Sequence, residues 1–308
     1  MRLVSFLGES GPPHIGVIRR DQIVDLSAWL SLELTFPWLD LVDLITMGGD
    51  GMARVRAALD ASDSELQAIG GLLPFDSHRQ KLLAPIPRPR KNVLCMGRNY
   101  AEHAAESSRA FGQAPSDTPE HPAIFTKAPT TVIGPFDDIP YDARISEQMD
   151  WEVELAVIIG RAGKNIKRDD ALSYIFGYTV LNDITARDVQ KRHGGQFFKG
   201  KSMDGSCPMG PWIVTADEIE NPNDLELWAR VNGEVKQHDN TSSMIWDVAA
   251  IIEQMSFGMT LEPGDIIATG TPAGVGFART PPEFLRPGDI VECEISKIGI
   301  ISNRVRET

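Results

Sequence analysis

Cysteine is scarce in this 308-residue chain: Cys95, Cys207 and Cys293 stand far apart with no C-x-x-C pair. Neither a disulfide framework nor a thiolate zinc site is suggested by that pattern, and the three read as small buried hydrophobes. Cationic blocks are missing as well. Thirty Lys and Arg stand against 43 Asp and Glu, a net charge of −13, so nothing is present to neutralise the phosphates of nucleic acid or an anionic membrane. No apolar run approaches the roughly 20 residues of a membrane span. The start, MRLVSFLGES, carries no long apolar leader core, and no fixed-period repeat is visible. A soluble cytoplasmic protein is expected.

What is present is enough apolar material, 42% of residues, for a large core. The expected organisation has three parts. Residues 1–78 read as a small α+β domain, with short strands (LVSFL, HIGVIRR, QIVDL) before helical material around MARVRAALDA. Residues 79–92 read as a stiff linker containing Pro85, Pro87 and Pro89. Residues 93–308 then alternate strand-like runs (NVLCMG, ELAVIIG, GYTVLND, PWIVT, LWARVNG, DIIATG, DIVECEI, GIISNRV) with Gly, Pro and Asp turns and only three helical stretches. That pattern predicts a β-rich α+β fold, a mixed and mostly antiparallel roll or sandwich, rather than a doubly wound parallel sheet.

The most informative run is DWEVELAVIIG. Its two-residue period predicts a strand with one face in a core, and Glu152 and Glu154 then project from the same face. Their stems stand roughly 6–7 Å apart, near enough for both to reach one hard cation. Asp183 ends another apolar β-type run, YTVLND, and would be a third oxygen donor. The competing reading is a solvated strand face.

Other pieces carry chemistry on weaker terms. Residues 195–202, GQFFKGKS, match a phosphate-binding loop, but the flanking ARDVQKRHGG and MDGSCPMGP supply neither the buried strand nor the helix that such a loop needs. Lys201 remains as a lone cation. His103 and Glu106 lie three apart on a predicted helix, where a carboxylate can fix the imidazole tautomer and raise its basicity. An ordinary exposed polar pair would look the same, and the other histidines have no such neighbour. Arg187 and Gln190 follow Asp183 by four and seven residues, on a face that could meet a substrate carboxylate or simply face water. Residues 270–276, GTPAGVG, offer backbone N–H groups and the Thr271 hydroxyl, or are only a turn.

Together GRNYAEHAAE, DWEVELAVIIG, NDITARDVQ, GKSMDGSCPMGPW, NGEVKQHDNTSSMIW, TGTPAGVG and LRPGDIVECEISKIGIISNRV, in this order, resemble the fumarylacetoacetate hydrolase superfamily. The resemblance implies a β-roll catalytic domain, a homodimer, and Mg²⁺ or Mn²⁺ (sometimes Ca²⁺) held by Glu152, Glu154 and Asp183. It implies that His103, Glu106 and Lys201 are catalytic, and that Arg98, Arg187, Gln190 and Thr271 meet the substrate. Met96 stands where the hydrolase proper has an aspartate. The H-x-x-E dyad is instead similar to the acylpyruvase, oxaloacetate decarboxylase and isomerase members. The implied activity is cleavage of a C–C bond beside a carbonyl in a small 2-oxo or 1,3-diketo acid through a metal-stabilised enolate. The alternatives are an isomerase or hydratase of an unsaturated 2-oxo diacid, and a non-enzymatic module that binds a small acid on a structural cation. The segment from Ser107 to His121 is expected to shape the pocket.

Overall fold

The computed structural model describes residues 1–8, 12–32, 40–110 and 120–308, so most of the segment expected to shape the pocket lies outside the described residues. Twelve strands form one large sheet. Its path runs Leu72–Pro74, Gln22–Asp25, Pro13–Arg19, Arg2–Leu7, Cys207–Thr215, Ile175–Asn182, Val153–Ile159, Ile266–Ala268, Val93–Gly97 and Ala123–Lys127. Leu82–Leu83 and Val132–Ile133 pair beside that path, with Arg2–Leu7 and Cys207–Thr215 respectively. A five-stranded sheet runs Glu234–Asn240, Glu226–Val231, Ile290–Ile295, Gly299–Glu307 and Ile139–Tyr141. Most neighbours are antiparallel, with parallel pairs such as Ile266–Ala268 on Val93–Gly97. The β-rich α+β expectation is borne out.

The N-terminal strands join the rest directly. Arg2 and Leu3 pair with Val214 and Ile213, and between the proline-containing turns Ala84 and Ile86 are buried. No helix among the described residues is long and apolar enough to cross a membrane.

Val153–Ile159 is the strand on which the site depends, and it is buried along its whole length. Val153, Leu155, Val157 and Ile159 pack into one core cluster while Ala156 and Ile158 pack into another. The sequence period suggested one buried face. The unbroken run LAVII is the signature of a strand covered on both, and the second sheet and the N-terminal elements are what cover it. Its neighbour Ile175–Asn182 pairs with it in register from Val153↔Asn182 to Ile158↔Gly177, with a bulge before Ile159↔Ile175. That register sets the ends of both strands side by side.

Close packing on that neighbour depends on a glycine. A Cβ on Gly177 would stand 2.3 Å from the Val214 carbonyl oxygen and 2.7 Å from Ile213 Cγ2. Neither a strand backbone nor a buried branched side chain has room to retreat. Gly177→Ala is therefore expected to destabilise the protein by about 1–3 kcal/mol. A urea unfolding midpoint equal to that of the parent would contradict this packing.

Candidate active site

Glu152 immediately precedes the strand Val153–Ile159 and Glu154 lies within it. The adjoining strand ends at Asn182, so Asp183 falls beside them, its N–H donating to the Glu152 carbonyl at 2.9 Å. One carboxylate oxygen from each of Glu152, Glu154 and Asp183 lies within 4.8 Å of the others. All three residues are buried. The solvated-face alternative is thereby excluded.

Three anions so close and so dry require counter-charge. Lys201 Nζ donates to Glu152 Oε2 and Asp183 Oδ2, both at 2.6 Å. Arg187 bridges two carboxylates, Nη2 to Glu152 Oε1 at 2.6 Å and Nε to Asp150 Oδ2 at 2.8 Å. Behind Asp183, the fully buried Lys127 stands 2.8 Å from Oδ1. It donates to the carbonyls of Ile184 and Lys201 and to Ser206 Oγ. Counting Asp150, four buried carboxylates thus face three buried cations. Glu154 is the one left over: among the described residues it pairs with no cation, and it accepts the Gly270 N–H at 2.8 Å.

The titration behaviour follows that imbalance. Burial, followed by the charges of Asp183 and Glu152, pushes the Glu154 carboxyl well above the usual carboxylate range. For Glu152 burial acts in the same direction, but Lys201 and Arg187 outweigh it and hold the group at about 2. A divalent cation would supply the missing charge. The donor set fits one: three hard oxygens on one face suit Mg²⁺, Mn²⁺ or Ca²⁺. Asp183 Oδ1 has its charge contact with Lys127 but no hydrogen bond, so it keeps a lone pair for a ligand.

Above the carboxylates, the helix Ala101–Ala110 brings the dyad. His103 Nδ1 and Glu106 Oε1 are 2.9 Å apart. The ionised carboxylate accepts from Nδ1–H, which leaves Nε2 as the basic nitrogen. Glu106 also receives the Gly274 N–H on both oxygens, at 3.1 and 3.0 Å. Arg98, His103, Gln190 and Thr271 line the same cavity as Glu152, Glu154, Arg187 and Lys201. Phe125, Phe197 and Phe277 supply its apolar wall, with Met96 beneath. Arg98 adopts a left-handed backbone, φ 55°, a conformation that costs a non-glycine residue energy and is found disproportionately at functional sites. Residues 195–202 form no phosphate loop. Phe198–Lys201 is a single helical turn that delivers Lys201 to the carboxylates.

Each residue expected from the sequence is therefore in or against one cavity, with Glu106 one step behind His103. Thr271 is more committed than its loop suggested: its hydroxyl donates to the Val153 carbonyl at 2.9 Å and accepts from Gln237 Nε2 at 2.8 Å. Two further histidines have carboxylate partners that lie too far along the chain to be paired by spacing, His14 with Asp25 and His238 with Glu226. Sequence reasoning missed Lys127, Asp150 and Gln237. A lysine closing the apolar run AIFTK, and an aspartate heading DWEVEL, were the available signals. Gln237 gave none.

Residues 92–306 match the family described as fumarylacetoacetate (FAA) hydrolase C-terminal. Oxaloacetate tautomerase YisK of Bacillus subtilis (strain 168) is 46% identical over 265 residues, 86% of each chain. Among solved structures, fumarylacetoacetate hydrolase from psychrophilic Exiguobacterium antarcticum is 38% identical and superposes with a TM-score of 0.81 over the whole of both chains. Maleylpyruvate hydrolase from Sphingobium sp. SYK-6, in complex with manganese (II) ion and pyruvate, is 29% identical with a TM-score of 0.74, covering 100% of this chain and 99% of that one.

Two expectations follow from the charge balance. In the metal-free protein the Glu154 proton is held above its ordinary pKa, so a cation that ligates Glu154 must displace it. Between the ordinary value and the raised one, divalent affinity should climb by about tenfold per pH unit. Titration calorimetry at two pH values reads this, and Glu154→Gln should flatten the dependence. Lys127→Met removes one partner of a buried ion pair and should cost the metal-free protein about 3–5 kcal/mol. Added Mn²⁺ should recover part of that loss; denaturant curves with and without the ion check both.

Proposed function

The chain belongs to the fumarylacetoacetate hydrolase family of enzymes, and from that premise we propose that it interconverts the keto and enol forms of a small 2-oxo dicarboxylate of the oxaloacetate class. The observation that carries the reading is one cavity lined by Glu152 and Glu154, with Asp183 clustered beside them, by the cations Arg98, Arg187 and Lys201, and by the His103 imidazole oriented by Glu106. The name of the 46% identical relative supports the substrate, and the manganese in the related hydrolase supports Mn²⁺ or Mg²⁺ as the ion. Glu152, Glu154 and Asp183 would hold that ion. When bound, it supplies Lewis-acid polarisation of a 2-oxo group.

The chain's own residues supply the rest. One substrate carboxylate falls to the remaining edge of Arg187, whose Nε and Nη2 are already engaged, and the other to Arg98. His103 Nε2 takes the proton from C3. The C–H electron pair becomes the C2=C3 double bond, the carbonyl pair moves to oxygen, and that oxygen takes a proton as the enol forms. Glu106 holds the imidazolium that results. Lys201, which reaches two carboxylates at 2.6 Å, places positive charge beside the developing oxyanion.

A second reading is favoured by the same dyad. An imidazole held by a carboxylate can also activate a water molecule, and C–C cleavage of an acylpyruvate or decarboxylation of oxaloacetate would leave the electron pair of the broken bond as the enolate of pyruvate, stabilised by the same charges. The two separate in one tube. With Mn²⁺ present, proton NMR of freshly dissolved enol-oxaloacetate should show accelerated conversion to the keto form with pyruvate accumulating no faster than in buffer. His103→Ala should slow conversion by about 10²–10⁴-fold. Acceleration of neither process by the metal-loaded protein sinks the proposal, and pyruvate appearing at the enzyme-catalysed rate selects the cleavage reading.

A further inference from the structure

We propose that Asp150 is a positioning residue that ties the guanidinium of Arg187 to the loop securing the His103–Glu106 helix, so that one carboxylate places both the substrate-binding charge and the base. The inference rests on the functional reading in one respect, that Arg187 meets a substrate carboxylate.

Asp150 is fully buried and lies outside the residues lining the cavity. A two-stranded ladder pairs it with Thr185, two residues before Arg187. Its Oδ2 accepts from Arg187 Nε at 2.8 Å and from the Phe277 N–H at 3.1 Å. Its Oδ1 accepts from the Gly276 N–H at 2.6 Å and from the Trp151 N–H at 2.9 Å. Those four bonds use the acceptor capacity of a carboxylate, which leaves nothing for a ligand. A buried anion is costly unless its partners are all in place, so its role lies in what it joins.

What it joins are two halves of the site. On one side Arg187 continues to Glu152 and stacks its guanidinium 4.2 Å from the Phe277 ring centroid. On the other side the loop carries Gly274, whose N–H donates to both oxygens of Glu106 and whose carbonyl accepts from Trp151 Nε1 at 3.3 Å. The fit is tight at Gly276, where a Cβ would stand 2.8 Å from Asp150 Oδ1 and 2.1 Å from the Glu283 carbonyl oxygen. The route therefore runs His103, Glu106, Gly274, Gly276, Asp150, Arg187, Glu152, with every link except the loop backbone a hydrogen bond.

Asp150→Asn tests it, because an amide turns part of that acceptor set into a donor facing donors. In Mn²⁺-loaded protein without substrate, amide hydrogen exchange across the helix Ala101–Ala110 and at Gly274, Gly276 and Phe277 should quicken by about tenfold or more. The KM for oxaloacetate should rise about tenfold, a shift that a smaller folded fraction would not produce. Combined with Arg187→Lys, the two losses should be non-additive. Unchanged exchange, or additive losses, overturns the proposal. If Asp150→Asn does not fold, Arg187→Lys alone decides: the Gly276 and Phe277 amides must exchange about tenfold faster, and unaltered exchange there overturns it. Absence of any turnover by the parent enzyme, with the exchange response intact, refutes the functional reading and not the role of Asp150.

Discussion

Three carboxylates held within 4.8 Å of one another and away from water are the constraint to which the surrounding structure answers. Left alone they would repel one another and carry a desolvation cost that no small domain could absorb. Lys201, Lys127 and Arg187 are each placed by a different element, yet all arrive at this point. Around them the large sheet supplies rigidity, since the strand bearing Glu154 is covered on both faces. Preorganisation of this kind lets charge be stabilised where it develops, without reorganising solvent at that moment.

The arrangement is also incomplete in an informative way. Three cations against four carboxylates leave Glu154 in surplus, a place that a proton fills or a divalent cation could fill. A divalent cation bound there would compete with that proton, and under the proposed function two of the cations that balance the site, Arg187 and Lys201, are also those that would meet an anionic substrate.

Much of this was legible in the residues. Glu152 and Glu154 announced themselves because a strand's period of two fixes which side chains share a face, and the i, i+3 spacing of His103 and Glu106 does the same for a helix. The fold class followed from short apolar runs between turn residues. What stayed hidden was long-range: Lys127 reaches Asp183 across 56 positions of chain, and Gln237 comes from the other sheet to hold Thr271. Local periodicity carries no information about such meetings. Burial on both faces of Val153–Ile159 was similarly masked, because the two glutamates gave the run an amphipathic look although Glu152 is ion-paired inside and Glu154 accepts the Gly270 N–H there.

Gly274 has a further implication. Its φ of 106° and a Lys236 carbonyl oxygen only 2.1 Å from where a Cβ would sit forbid a side chain at the very N–H that grips Glu106. The anchor of the dyad is thus written in backbone, out of reach of gradual side-chain variation. Diversification of substrate range, whether by nature or in a laboratory library, is steered toward Met96, Ser107 and Phe125, which line the cavity with ordinary, exchangeable side chains.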